Sequence, residues 1–395
     1  MRRIFNEDQG APSAADGAYQ AYVKKDARGA TQICAKKTSI GRIGVFGGTF
    51  DPVHIGHLLL AEAAFYQAKL SLVLFMPAHI QPFKQDMVMS SDDDRIRMLR
   101  LATENNPFFD VTTIECDKGG VSYTIDSLRD LKKKYKKNKI CFIIGTDMFL
   151  NIEKWKDSDM LIREFCLVVG IRPGYLTEKA DKLAKKLKNK YNADIVFVDN
   201  PPIDLSSSEI RKRVTNGETI RYRVPERVRQ FLLVREKQGE KRFEHTKRVI
   251  DLAVDMIGRF GGDIVKAETA ALFHDYCKDP AGGVENDINH ASMAAETVKE
   301  LFCVKDEDIL NAIRYHTTGR AGMSRLEKIL FLADTIEPGR KYKSISKLRD
   351  TCLDDLDKGT LTVLVELKKY LEMNGIKVSK DTEEAIRFER RKLGQ

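Results

Sequence analysis

The chain has 395 residues, 42% hydrophobic and 32% charged, which is too long for one compact domain and too apolar for wholesale disorder. Its net charge is +9, yet residues 241–395 carry 27 basic and 27 acidic side chains, so the excess lies entirely in residues 1–240. A basic surface suits polyphosphate ligands as well as nucleic acid. The basic runs Lys132–Lys139 and Lys179–Lys190 fall on amphipathic helical patterns and there is one Trp, so no nucleic-acid partner is expected. No apolar run approaches the roughly 18 residues of a membrane span. The first residues lack the apolar stretch of a secretory signal. Seven scattered cysteines without a C-x-x-C pair fit a reducing compartment. A cytoplasmic protein without a membrane partner is expected.

Residues 1–40 show no clear periodicity and read as a flexible extension or a mispredicted start. From Arg42 strands and helices alternate. Ile43–Phe46 reads as a strand, Leu58–Lys69 a helix, Leu72–Met76 a strand, Asp92–Glu104 a helix and Val111–Glu115 a strand. Thr124–Tyr135 (helix), Lys139–Ile144 (strand), Met160–Glu164 (helix) and Cys166–Ile171 (strand) continue the series. It ends with Glu178–Lys190 (helix), Ile195–Val198 (strand) and Ser207–Thr215 (helix). Such alternation predicts an α/β domain with a mostly parallel sheet over 41–236. The polar stretch around 237–242 reads as a linker. Beyond it Phe243–Phe260, Ala267–Phe273, Met293–Cys303, Ile309–Tyr315, Ser324–Leu332 and Leu361–Met373 have helical spacing, so 243–395 is predicted to be all-α.

Two segments of the first domain carry chemistry. The loop after the first strand runs Gly47-Gly48-Thr49-Phe50-Asp-Pro-Val-His54-Ile-Gly-His57 into a helix. Glycines let backbone approach a ligand, the helix start offers free N–H groups, and two histidines three apart share one face. Leu205-Ser-Ser207-Ser-Glu-Ile-Arg211 opens another helix with hydroxyls and an Arg suited to phosphate. Together they resemble the H-x-G-H and S-S/T-x-I-R signatures of the nucleotidyltransferase superfamily. With Met76-Pro-Ala, Pro82-Phe-Lys84, Arg95-Ile-Arg, Ser122-Tyr-Thr124-Ile-Asp, Ile144-Gly-Thr-Asp147, Trp155 and Arg172-Pro-Gly, residues 43–236 resemble bacterial nicotinate-mononucleotide adenylyltransferases. The resemblance implies a Rossmann-like fold binding ATP and nicotinate mononucleotide, with Mg2+ arriving on the ATP. His54, His57, Lys84, Ser207 and Arg211 would handle ATP phosphates, and Gly47, Gly48, Thr49, Phe50 and Arg172 would contact substrate. Asp147 would lie by adenosine, with Thr124 and Trp155 on the nicotinate side. His79 stands where that family often has Asn and is given no role.

The helical half holds His245, His274, His290 and His316, with Asp275 beside His274 and Asp334 on a later helix. Imidazoles and carboxylates without cysteine suit a catalytic site for iron, manganese or zinc. The order His…His-Asp…His…His…Asp is that of HD-domain phosphohydrolases. Phe273-His-Asp-Tyr-Cys-Lys278, Tyr315-His-Thr-Thr-Gly-Arg320 and Ala333-Asp-Thr-Ile-Glu-Pro-Gly-Arg340 resemble the bacterial HD family that cleaves diadenosine tetraphosphate symmetrically to two ADP. That resemblance implies two divalent metals, iron or manganese, held by the four histidines, Asp275 and Asp334. Lys278, Arg320 and Arg340 would neutralise substrate phosphates. Other substrates on both folds, or a nucleotide-sensing or RNA-binding protein with one inert half, are the competing readings. A homo-oligomer stays open.

Overall fold

The computed structural model describes residues 41–80, 90–171, 178–201, 203–278, 284–342 and 345–395, with 284–288 as backbone alone, and the backbone of 19–25 and 31–37. Lys84 and Arg172 lie outside the described residues. Within the expected flexible extension, strands β1 (Tyr19–Lys25) and β2 (Thr31–Lys37) pair antiparallel, from Tyr19↔Lys37 to Lys25↔Thr31. The chain divides into two compact units, residues 1–229 and 230–395.

The first unit is built on β3 (Arg42–Gly48), β4 (Leu70–Pro77), β5 (Phe109–Val111), β6 (Lys139–Gly145), β7 (Cys166–Ile171) and β8 (Ile195–Asp199), all parallel in the order β5-β4-β3-β6-β7-β8. Every residue of β4 is buried, as expected of a strand covered on both faces. The helices are α1 (Ile55–Gln67), α2 (Asp92–Thr103), α3 (Ile114–Lys118), α4 (Thr124–Lys134), α5 (Thr146–Phe149), α6 (Ser158–Glu164), α7 (Glu178–Tyr191) and α8 (Ser207–Thr215), with a 3₁₀ turn at Ile152–Lys154. In α4, Ile125, Leu128 and Leu131 recur at helical spacing and join the core beside Phe142 and Ile144. One expected strand, Val111–Glu115, is instead the end of the three-residue β5 followed by α3. Past Phe75↔Val111 the neighbouring strand reaches Pro77, which has no N–H for another rung. The strand order turns back between β3 and β6, the place where ligands enter open α/β sheets.

The second unit is helical: the remainder of α9 (Glu226–Phe260), then α10 (Ile264–Phe273), α11 (Val284–Leu301), α12 (Glu307–Tyr315), α13 (Arg325–Ile336), α14 (Ile345–Asp354), α15 (Leu356–Met373) and α16 (Lys380–Lys392). Residues 237–242 belong to this unit and to α9, which is interrupted by Gly239 at φ 68, ψ 167. The segment before it is anchored: Phe231 is 1% exposed, with its ring edge-on to Phe243 at 4.9 Å between centroids. The helical unit expressed from Gln230 should therefore fold as a stable domain. Beginning it at Phe243 deletes Phe231 and should cost about 3–5 kcal/mol, the scale of removing a buried Phe. Thermal unfolding of the two fragments tests this, and equal stability would support the linker.

Candidate active sites

A cavity of about 540 Å³ opens at the C-terminal ends of β3 and β6, and ten of the residues singled out from sequence line it. These are Gly47, Gly48, Thr49, Phe50, His57, Thr124, Asp147, Trp155, Ser207 and Arg211. Gly48 is needed for close approach: a Cβ there would come within 2.9 Å of the Phe50 ring, and Phe50 itself sits in the left-handed region at φ 52. His54 precedes α1 and is buried, its ring stacked on His57 at 3.6 Å. It lines a smaller adjoining space with His57 and Gly170 rather than the main cavity.

His57 Nδ1 accepts the His54 backbone N–H at 3.2 Å. An imidazole nitrogen that accepts carries no hydrogen, so in the neutral ring the proton is on Nε2 as a donor. Phe50 and Phe46 stand edge-on to the ring at 5.0 and 5.9 Å and fix its plane. The N-cap of α8 is Ser206, which accepts from Glu209 N at 3.1 Å. Ser207 instead donates to Pro52 O at 2.9 Å, and Arg211 donates to Asp51 O with its Nη1 3.8 Å from the buried Asp51 carboxylate. Both thus brace the β3–α1 loop across more than 150 residues of chain. On the far wall Trp155 meets Phe142 edge-on at 5.9 Å, and Lys156 lies 4.1 Å over the Tyr123 ring.

Two residues that sequence reasoning gave no role also shape this cavity. Arg95 is fully buried and donates to Thr49 O at 2.8 Å and to Asp92, which in turn contacts His79. Its motif was visible; its partner 46 residues away was not. Glu115 lines the cavity as a buried carboxyl, pushed above its ordinary pKa by burial against hydrogen bonds from Ser127 and Ser122. No periodicity marks a carboxyl that becomes buried only when α3 packs.

In the helical unit all six expected ligands converge. His245 Nε2 lies 3.1 Å from Asp334 Oδ1, and His274 Nε2 lies 4.0 Å from the same oxygen and 3.7 Å from Asp275 Oδ2. Asp275 Oδ1 faces His290 Nε2 at 3.2 Å and His316 Nε2 at 3.6 Å. His245, His274 and Asp334 form one group able to hold a cation, and His274, Asp275 and His316 another. The tautomers are again readable. His274 Nδ1 contacts Ala271 O and His316 Nδ1 contacts Ile313 O, each at 2.7 Å, so those nitrogens carry the hydrogens. Lone pairs on Nε2 then face carboxylate oxygens, and among the described residues buried His274 Nε2 has no hydrogen-bond partner. Acceptors facing acceptors in a buried space repel unless a cation lies among them, so these residues fit a divalent metal.

The electrostatics agree. Burial pushes the His274 imidazole down to about 4, leaving it neutral near pH 7. Burial opposes ionisation of Asp334, yet the His245 hydrogen bond and the Arg340 guanidinium help to hold the carboxyl well below its ordinary range. Glu337, in the Ala333–Arg340 motif, is a residue for which the sequence indicates no role. It is buried and meets His245 Nδ1 at 3.2 Å, orienting that ring as second partners of metal-binding histidines do. Lys278 Nζ is 3.7 Å from Asp275 Oδ2, and Arg340 reaches Asp334 at 2.7 Å. Arg320 is engaged elsewhere, donating twice to buried Glu327 at 2.7 Å.

Residues 45–213 match the cytidylyltransferase-like family and residues 242–339 the HD domain. The probable nicotinate-nucleotide adenylyltransferase of Thermoanaerobacter sp. is 41% identical over 48% of this chain and 91% of its own length. The chain belongs to the nicotinate-nucleotide adenylyltransferase family. The Moorella thermoacetica member is 37% identical over 49% of this chain and 90% of its own. These alignments cover about half the chain, and the HD domain is additional. A predicted HD superfamily hydrolase involved in NAD metabolism from Clostridium acetobutylicum is 33% identical over 42% of this chain and 96% of its own, with a TM-score of 0.39. The six-stranded parallel sheet is the nucleotidyltransferase half of this family member, and the helical unit carries its HD half. Among the described residues no helix is long and apolar enough to cross a membrane.

Proposed function

We propose that this chain joins two enzymes: an adenylyltransferase making deamido-NAD and pyrophosphate from ATP and nicotinate mononucleotide, and a metal-dependent phosphohydrolase cleaving diadenosine tetraphosphate to two ADP. The observation that supports the first most strongly is the His57 Nε2–H donor at the cavity between β3 and β6. The phosphate of nicotinate mononucleotide attacks the α-phosphorus of ATP and pyrophosphate leaves, with Mg2+ arriving on the ATP. No covalent enzyme intermediate is needed, so the residues position and neutralise. His57 donates to a phosphate oxygen as charge builds there, His54 keeps its ring in place, and Arg211 adds positive charge beside it. Trp155 and Thr124 hold the nicotinate end. Purified protein assayed with each mononucleotide should turn over the acid form at least about tenfold faster than the amide, about 1.4 kcal/mol of discrimination. Equal rates would withdraw the substrate and keep the fold.

For the second half the supporting observation is the set of imidazole Nε2 atoms and carboxylates gathered around Asp275 and Asp334, with buried His274 Nε2 unsatisfied among the described residues. His245, His274 and Asp334 would hold one divalent metal and His290 and His316 the other, with Asp275 between them; iron and manganese both suit these donors. Such ions supply Lewis-acid stabilisation of a phosphoryl group and activation of water. The chain's own residues orient: Glu337 fixes His245, Ala271 O fixes His274, and Lys278 and Arg340 bring cationic charge to the two carboxylates. Diadenosine tetraphosphate given to metal-loaded protein should yield ADP as the sole product. ATP plus AMP would mean asymmetric cleavage and overturn this reading.

A further inference from the structure

Arg242 lies in the segment whose composition reads as a solvated linker, yet it stands three residues before His245 on α9, and so on the same helical face. Its Nη1 is 3.9 Å from Asp275 Oδ2, too far for a hydrogen bond. That nitrogen is buried and, among the described residues, has no hydrogen-bond partner. A buried guanidinium N–H with nothing to donate to is costly, so it persists where an acceptor arrives from outside. The same carboxylate oxygen has Lys278 Nζ at 3.7 Å, and Arg340 stands on Asp334. Three cationic side chains thus surround the two carboxylates, and the chemistry they suit is a polyanion. Arg320, the arginine expected in this role, has two of its donors spent on Glu327.

We propose that Arg242 is a substrate-binding residue of the HD domain, donating Nη1–H to a non-bridging phosphate oxygen of a nucleoside polyphosphate. The inference rests on the phosphohydrolase reading above and adds to it the residue that grips the phosphate. A guanidinium beside Asp275 without a ligand role would only counter the carboxylate's charge; a substrate contact makes a different demand, because its loss weakens phosphate binding and leaves the metal in place.

The test uses the full-length, metal-loaded chain. ADP is titrated calorimetrically into wild type, Arg242→Met and Arg242→Lys, with Asp275→Ala as the reference lacking the metal site; the component absent from Asp275→Ala belongs to the HD domain. Metal content is measured on every sample. Arg242→Met should keep the wild-type metal content and bind ADP in that component about ten- to a hundredfold more weakly, the scale of a lost charge-assisted hydrogen bond. Arg242→Lys should recover part of the loss, since an ammonium keeps the charge without the planar fork. Unchanged ADP affinity in Arg242→Met would overturn the proposal, as would loss of metal from that variant, which would make Arg242 a support for Asp275. Wild type with no such ADP component would instead sink the phosphohydrolase reading itself, and Arg242 with it.

Discussion

Asp275→Ala should release metal from the HD domain and lower diadenosine tetraphosphate hydrolysis by at least about a thousandfold, while adenylyl transfer stays at the wild-type rate. Asp275 sits where the sites meet: one oxygen faces His290 and His316, the other faces His274, Lys278 and Arg242. Removing it withdraws the negative charge that faces Lys278 and Arg242 and would also face a bound cation, so the neighbours cannot substitute. Elemental analysis and product chromatography on one preparation check both halves of the statement. Full hydrolysis by a metal-free sample would remove the metal from the mechanism. A parallel fall in adenylyl transfer would mean that the variant is damaged as a whole.

His57→Ala should slow adenylyl transfer at least about a hundredfold, the usual scale for losing one preorganised donor to developing charge. The His54 backbone N–H occupies Nδ1, so Nε2–H is what the ring offers to phosphate, and alanine offers nothing. Because Phe46 and Phe50 pack on the ring, some stability is lost as well, so melting must accompany the kinetics. A loss in kcat with a near-normal KM marks a contact made mainly in the transition state. Substitution by glutamine, which keeps an N–H donor, should recover part of the rate. Near-normal turnover by folded His57→Ala would take the residue out of the reaction.

How much of this was readable in advance differs between segments. The α/β alternation and the later helices were legible because apolar periodicity is local, and burial follows it wherever a sheet is covered on both faces. Boundaries suffered where a distant partner decided them, as at Val111, where Pro77 on the neighbouring strand ends the ladder. Around Arg242 composition is equally silent: charge content alone cannot distinguish a solvated linker from a helix whose arginine lies beside a buried carboxylate.

The two-part architecture, the Gly-Gly-Thr-Phe…His-Ile-Gly-His loop and the six candidate metal ligands were legible in the chain, because each motif carries its chemistry in contiguous or ordered residues. The proton positions on His57, His274 and His316 follow from local backbone, each Nδ1 meeting a group three residues earlier, whereas the tertiary structure alone brought His316 from the end of α12 to Asp275. It also separated Arg242, with an uncommitted donor beside Asp275, from Arg320, which is bound to Glu327. An arginine's role is set by its surroundings, and for these two the neighbouring carboxylate lies 33 and 7 residues away along the chain, on other elements of the fold.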